Sequence, residues 1–212
     1  MKSVVLIATL IFTLSLTAQT PYEKGMNKAF TLWEQQKNTE AAQLFERIAS
    51  VEKDNWLPSY YVGLIEIISC FGLKDETLLN TKLTRAKEFL DSASAISKDN
   101  PEIMISYALL NTAYIAFDCA KYGMTLSGEN VAIYQKAQAI APNNPRVLLG
   151  KTEWDMGTAK FFGKSTAPYC EDIERAIDLF EAEEQTIPYY PYSGVERAKE
   201  ISNNCKKETS PK

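Results

Sequence analysis

Histidine is absent from all 212 residues. Without an imidazole there is no Ser-His-Asp or Cys-His nucleophile system, no histidine-ligated zinc and no histidine proton shuttle. Glycine is scarce, with nine residues spread along the chain, and none builds a phosphate-cradling loop between a strand and a helix. The first of the four cysteines is Cys70, so no thiol lies near the N-terminus to carry a bacterial lipid anchor. Basic residues do not dominate. Lys+Arg 23 against Asp+Glu 27 gives a net charge of −4 and a pI near 5.1, which argues against general affinity for nucleic acid.

The long apolar run is confined to the start. Met1-Lys2 is followed by Ser3 to Leu16, shorter than the roughly 20 residues needed to span a bilayer. A basic start, an apolar middle and the small Ala18 have the order of a secretory signal, with Gln19 as the mature N-terminus. Residues 1–18 are therefore expected to be removed, leaving a mildly acidic, soluble periplasmic or secreted chain that is not a lipoprotein and does not insert in the membrane. The remaining composition, 45% hydrophobic and 24% charged overall, is ordinary for a globular protein.

Residues 19–205 are organised by an internal repeat. AAQLFERIASVEKDN (41–55), AKEFLDSASAISKDN (86–100), NVAIYQKAQAIAPNN (130–144) and AIDLFEAEEQTIPYY (176–190) align with a period of about 45 residues. Ala41, Ala86, Asn130 and Ala176 lead, with Phe45, Leu90, Tyr134 and Phe180 four residues later. Ile48, Ala93, Ala137 and Glu183 follow, then Val51, Ile96, Ile140 and Thr186. These offsets place one apolar stripe on a helix, broken in the fourth copy. Asn55, Asn100 and Asn144 stop each helix, and Pro101 and Pro145 suit the first turn of the next. First helices are predicted near 22–36, 56–71, 101–117 and 145–160. Second helices are predicted near 39–52, 82–97, 129–140 and 171–186, with a closing helix near 191–205 and a frayed tail, 206–212.

The stripe, and YQKAQAIAPNNPR (134–146) above all, resembles the second helix of a tetratricopeptide repeat. SYYVGLIEI (59–67) and ISYALLNTAY (105–114) resemble first helices, with Gly63 and Ala108 where two helices approach closely. The Ala-Gln signal end, FFGKS (161–165) and YSGVERAKEISNNC (192–205) resemble exported tetratricopeptide-like proteins of Bacteroidetes, a group that carries over no activity. The resemblance implies an all-α, right-handed superhelix of about four helix pairs plus a capping helix. The standard repeat has 34 residues. The excess here is assigned to long loops within the pairs, at 71–84, 117–129 and 157–171.

No constellation points to chemistry. Glu171-Asp172 and Glu183-Glu184 read as solvated faces, and Lys87 and Ser92 diverge on one helix. No catalytic residue, metal ligand or cofactor is assigned. Tyr60, Tyr61, Tyr107, Tyr114 and Trp154 all fall on first helices, mostly as filling between repeats. The repeat register aims Tyr60, Leu64, Ile105, Leu109, Thr112, Leu149, Glu153 and Met156 into a groove suited to a peptide. Phe161 and Phe162 are either tucked under the array or form an exposed contact, burial being favoured. For the cysteines, helix order pairs Cys70 with Cys119 and Cys170 with Cys205, the alternative being four reduced thiols. The expectation is a non-enzymatic scaffold binding a protein or peptide, with a structural envelope subunit, a small-ligand binder or an enzyme as alternatives.

Overall fold

The computed structural model describes residues 19–209; the expected signal, 1–18, lies outside them, as do residues 210–212 of the tail. Every regular element among the described residues is helical. The helices are α1 (Pro21–Glu34), α2 (Asn38–Val51), α3 (Leu57–Ile68), α4 (Glu76–Ile96) and α5 (Pro101–Phe117). They continue with α6 (Cys119–Ile140), α7 (Pro145–Phe161), α8 (Cys170–Glu181) and α9 (Val195–Thr209). No helix among the described residues is long and apolar enough to cross a membrane.

Short polar side chains set where the helices start. Thr20 and Glu23 form a reciprocal capping box at α1. Asn100 and Asn144 accept from the backbone of Glu102, and of Arg146 and Val147, ahead of Pro101 and Pro145 at the first helical position. Asn55 accepts from Leu57 N–H in the same way.

Each helix packs on the next, and α3, α5 and α7 also touch one another in turn. The predicted stripe faces these contacts: Ala41, Phe45, Ala86, Leu90, Ala93, Asn130, Tyr134, Ala137 and Ala176 are all buried. Its last column is not, since Val51 is 75% exposed and Ile96 and Ile140 also stand open at the ends of their helices. At the α3–α4 crossing, a Cβ on Gly63 would lie 2.9 Å from Leu90 Cγ and 3.2 Å from the Ala86 carbonyl.

Three expectations are corrected. The surplus residues of the second and third pairs lengthen helices rather than loops, because Asp75 and Asp118 cap new starts early. Only the third surplus stays irregular, with a 3-10 turn at Ala167–Tyr169. Cys119 thus begins α6 instead of ending α5, and no bond joins it to Cys70. Cys70 is buried, its thiol pushed up to about 11 chiefly by burial and donating 3.2 Å to its own helix at Glu66 O, while Cys119 is exposed. Cys170 and Cys205 are joined, with Cα atoms 6.0 Å apart, tying the start of α8 to the last turns of α9. Finally, α8 stops at Glu181, short of the expected 186, and α9 starts at Val195 and continues to Thr209, so residues 206–209 of the tail belong to the closing helix.

Two glycines give opposite expectations. Gly63→Ala overpacks the buried Leu90 at a cost of about 1–3 kcal/mol, outweighing the helix-propensity gain of up to about 1 kcal/mol, and should lower Tm by several degrees. Gly128→Ala meets nothing within 4 Å on an exposed face of α6, and thermal denaturation should show Tm unchanged or raised. Non-reducing peptide mapping should recover Cys170 bonded to Cys205, with Cys70 and Cys119 as thiols.

Candidate functional site

The first helices share one face, and a cleft of about 550 Å³ opens on it. From α3 come Tyr60, Tyr61, Leu64 and Ile68; from α5, Glu102, Ile105, Ser106 and Leu109; from α7, Arg146, Leu149, Gly150 and Glu153. Phe30 and Trp33 of α1 and Tyr134 of α6 close the ends. The floor is a ring cluster: Tyr61 meets Phe30 edge-on at 4.7 Å, stacks on Phe45 at 5.2 Å and lies 5.0 Å from Tyr60.

Six of the groove residues read from the sequence, Tyr60, Leu64, Ile105, Leu109, Leu149 and Glu153, line this one cleft. Two do not. Thr112, one turn beyond Ala108 on α5, is turned toward α6, donating to Ala108 O and accepting from Asn130 Nδ2 at 3.1 Å. Met156 is buried in the terminal core with Ile173, Ala176, Ala198 and Ile201. Phe161 and Phe162 are 68% and 66% exposed and meet only edge to face, so the favoured burial is corrected: the backbone turns away at Gly163 before either ring can fold under.

The fourth wall comes from a segment of which the repeat reading assigned 182–186 and 191–194 to helix. Residues 182–194 leave α8, cross the cleft and reach α1. Pro188, Pro191 and Gly194, the last at φ 132°, keep this stretch out of helix. Tyr190, Pro191, Tyr192, Ser193 and Gly194 line the cleft. Tyr189 packs on Tyr22 and Phe30, and its carbonyl accepts from the Tyr61 hydroxyl at 2.7 Å.

One ionic cluster joins these walls. Arg146, 7% exposed, donates from Nε to Glu102 Oε1 at 2.9 Å and grips both oxygens of Glu183 with its two terminal nitrogens, at 2.7 and 2.5 Å. Asn144 Nδ2 also donates to Glu102 Oε1 at 2.6 Å, and the Tyr190 hydroxyl approaches it at 3.4 Å. Glu102 is wholly buried, and its Oε2 has no hydrogen-bond partner among the described residues. Burial raises the Glu102 carboxyl above the usual range, while Arg146 and Asn144 pull the other way. Burial opposes the charge on Arg146, yet pairing with Glu183 and Glu102 carries its pKa above that of an ordinary arginine. Arg146 is the one cation among the residues lining the cleft.

The hydroxyls of Tyr60, Tyr61, Tyr134 and Tyr190 are poor anions. Burial raises Tyr60, Tyr61 and Tyr134 well above the ordinary phenol value, and pushes Tyr190 up to about 12. The site therefore offers ring faces, phenol hydroxyls and one committed ion cluster.

No protein-family model matches the chain, and no curated protein matches it. Among solved structures it is similar to the HusA haemophore from Porphyromonas gingivalis, a Bacteroidetes protein. The two are 23% identical over 91% of this chain and 96% of that one, with a TM-score of 0.79. A likeness at this identity shows a shared all-helical fold.

Removing one member of the buried cluster should cost more than removing two. Arg146→Met strands Glu102 and should destabilise by about 3–5 kcal/mol. Adding Glu102→Gln to that variant should restore part of the loss, read as a non-additive double-mutant cycle in urea denaturation.

Proposed function

We propose that the chain binds a flat, largely apolar ring ligand of the porphyrin class in this cleft, non-covalently and without chemical turnover. One observation carries the reading: an aromatic-walled cleft occupies the shared face of α3, α5 and α7 in a fold shared with a haemophore. Its volume of about 550 Å³ falls within the roughly 300–1,000 Å³ of small-molecule sites. Tyrosine and tryptophan faces present large area at low entropy cost, which suits a planar ring. With histidine absent, a bound metalloporphyrin would have no imidazole ligand, and the ring faces of the cleft would carry its grip. Binding of a metal-free ring therefore follows from the same chemistry.

A small ligand suits the cleft better than the peptide first expected, because residues 182–194 cross it and block an extended chain. The buried Ala and aromatic columns support reading the helix pairs as tetratricopeptide-like repeats in a right-handed superhelix. Export through residues 1–18 would place the cleft outside the cytoplasm. A protein contact has separate support at Phe161 and Phe162, whose exposure lies away from the cleft.

Titration with haemin by absorbance, and with metal-free protoporphyrin by fluorescence quenching, should give saturable one-site binding to both. Ile105→Asp sets a charge under the ring and should weaken each at least about tenfold, or 1.4 kcal/mol. Tyr107→Ala, in a separate groove between α4, α5 and α6, should leave both unchanged. Failure of both compounds to bind would sink the ligand class.

A further inference from the structure

Residues 182–194 are held by separate ties instead of continuous packing. At the start, Glu183 sits in the fork of Arg146. In the middle, the Tyr190 ring lies 5.7 Å from the Arg146 guanidinium and edge-on to Trp56 at 5.9 Å. At the far point, Tyr189 receives the Tyr61 hydroxyl and donates its own to Glu23 O at 3.3 Å. Tyr189 makes that turn at φ 62°, a left-handed conformation that a bulky side chain rarely adopts.

Open space lies on both sides. Inside is the cleft; outside is a second hollow of about 570 Å³ bounded by Glu34, residues 185–190 and Tyr192. The two hollows share Phe30, Tyr190 and Tyr192 as a common partition. A segment with space on each face and a left-handed residue at its far contact has room to move. Its ends are carried by α8 and α9, which pack on each other and are bonded by Cys170–Cys205 at the helix ends away from the segment.

We propose that residues 182–194 form a clasp over the cleft, latched by Arg146–Glu183 and by Tyr61–Tyr189, which opens to admit the ligand and closes its aromatic face over it. This rests on the cleft being the ligand site. The clasp supplies Tyr190 and Tyr192 as the second wall of a sandwich whose first wall is Tyr60 and Leu64. Glu183 is the positioning residue, acting through Arg146.

Limited chymotrypsin digestion of the oxidised full-length protein tests this without assuming a ligand. Cuts after Tyr189 or Tyr192 fall inside the disulfide loop, so the fragments separate only on a reducing gel. Cleavage of a transiently opened segment tracks its open population, so Glu183→Gln should speed these cuts at least about tenfold. Tyr61→Phe, which leaves the ionic latch intact, should do the same, keeping the test valid if Glu183→Gln folds poorly. Saturating metal-free protoporphyrin should slow the cuts in the parent. Unchanged cutting in both variants overturns the clasp even if porphyrin binds. Accelerated cutting in a protein that binds no porphyrin upholds the moving segment and removes the ligand class.

Discussion

A guanidinium buried at 7% exposure needs its charge answered, and the two answers to Arg146 come from distant parts of the chain. Glu102 stands in the first turn of α5, Arg146 in the first turn of α7 and Glu183 just past α8. Asn100 and Asn144 cap the two helices in the same way, so Glu102 and Arg146 take matching places directly after Pro101 and Pro145. A carboxylate at a helix N-terminus is favoured by the macrodipole and an arginine there is not. Glu102 therefore offsets both the desolvation of Arg146 and its unfavourable helix end. The capping pattern thus fixes the position of the ion cluster, and the cluster fixes where the irregular segment leaves α8.

That departure turns a stack of helices into an enclosed cleft. Had the fourth copy kept its apolar stripe, α8 would have run on as α4 and α6 do. Glu183 and Thr186 replace the apolar residues of the stripe, and Pro188 and Pro191 prevent the helix from resuming. The polypeptide between α8 and α9 crosses the face of α3, α5 and α7 and puts Tyr189 on α1. The rings then enclose a cleft that the helices alone would leave as an open trough. Cys170–Cys205 contributes about 2–4 kcal/mol by closing the chain around this excursion, which helps offset the helical packing that the excursion forgoes.

The helical stack and part of the cleft were legible because both follow from local periodicity. The Asn-Pro junctions mark the starts of α5 and α7, the buried columns mark the packed faces, and the same register brings Tyr60, Leu64, Ile105, Leu109, Leu149 and Glu153 to one face. The register fails at Thr112 and Met156, where the pull of the neighbouring helix, Asn130 in one case and the α8–α9 core in the other, outweighs the repeat. Helix length was misread because Asp75 and Asp118 are short polar residues that suit a cap as well as a loop. Arg146, Tyr189 and Tyr190 were missed, and Glu183 was read as part of a solvated face although it pairs with Arg146, for a different reason. Their partners lie far along the chain, as Tyr61 does from Tyr189, and no local period encodes such a pairing. A usable signal was present in TIPYYPYSG (186–194): two prolines and a glycine that forbid helix, interleaved with three tyrosines too large to leave idle.

The same features bear on how a proposed ring ligand would be held and let go. Coordination through histidine gives a directional bond whose release needs ligand exchange at the metal; this chain has no histidine with which to make it. Stacking is spread over many weak contacts, each of order 0.1–0.2 kcal/mol per atom pair, and is lost when one wall withdraws. An aromatic cleft with a fixed wall of helices and a second wall on a tied segment therefore separates two tasks. The fixed wall supplies recognition by shape and area. The tied segment would set residence time, since the proposed ring could not slide out while Tyr190 and Tyr192 cover it. In such a design the ion cluster governs exchange although it need not touch the ligand, because Arg146 holds Glu183, and Glu183 holds the wall.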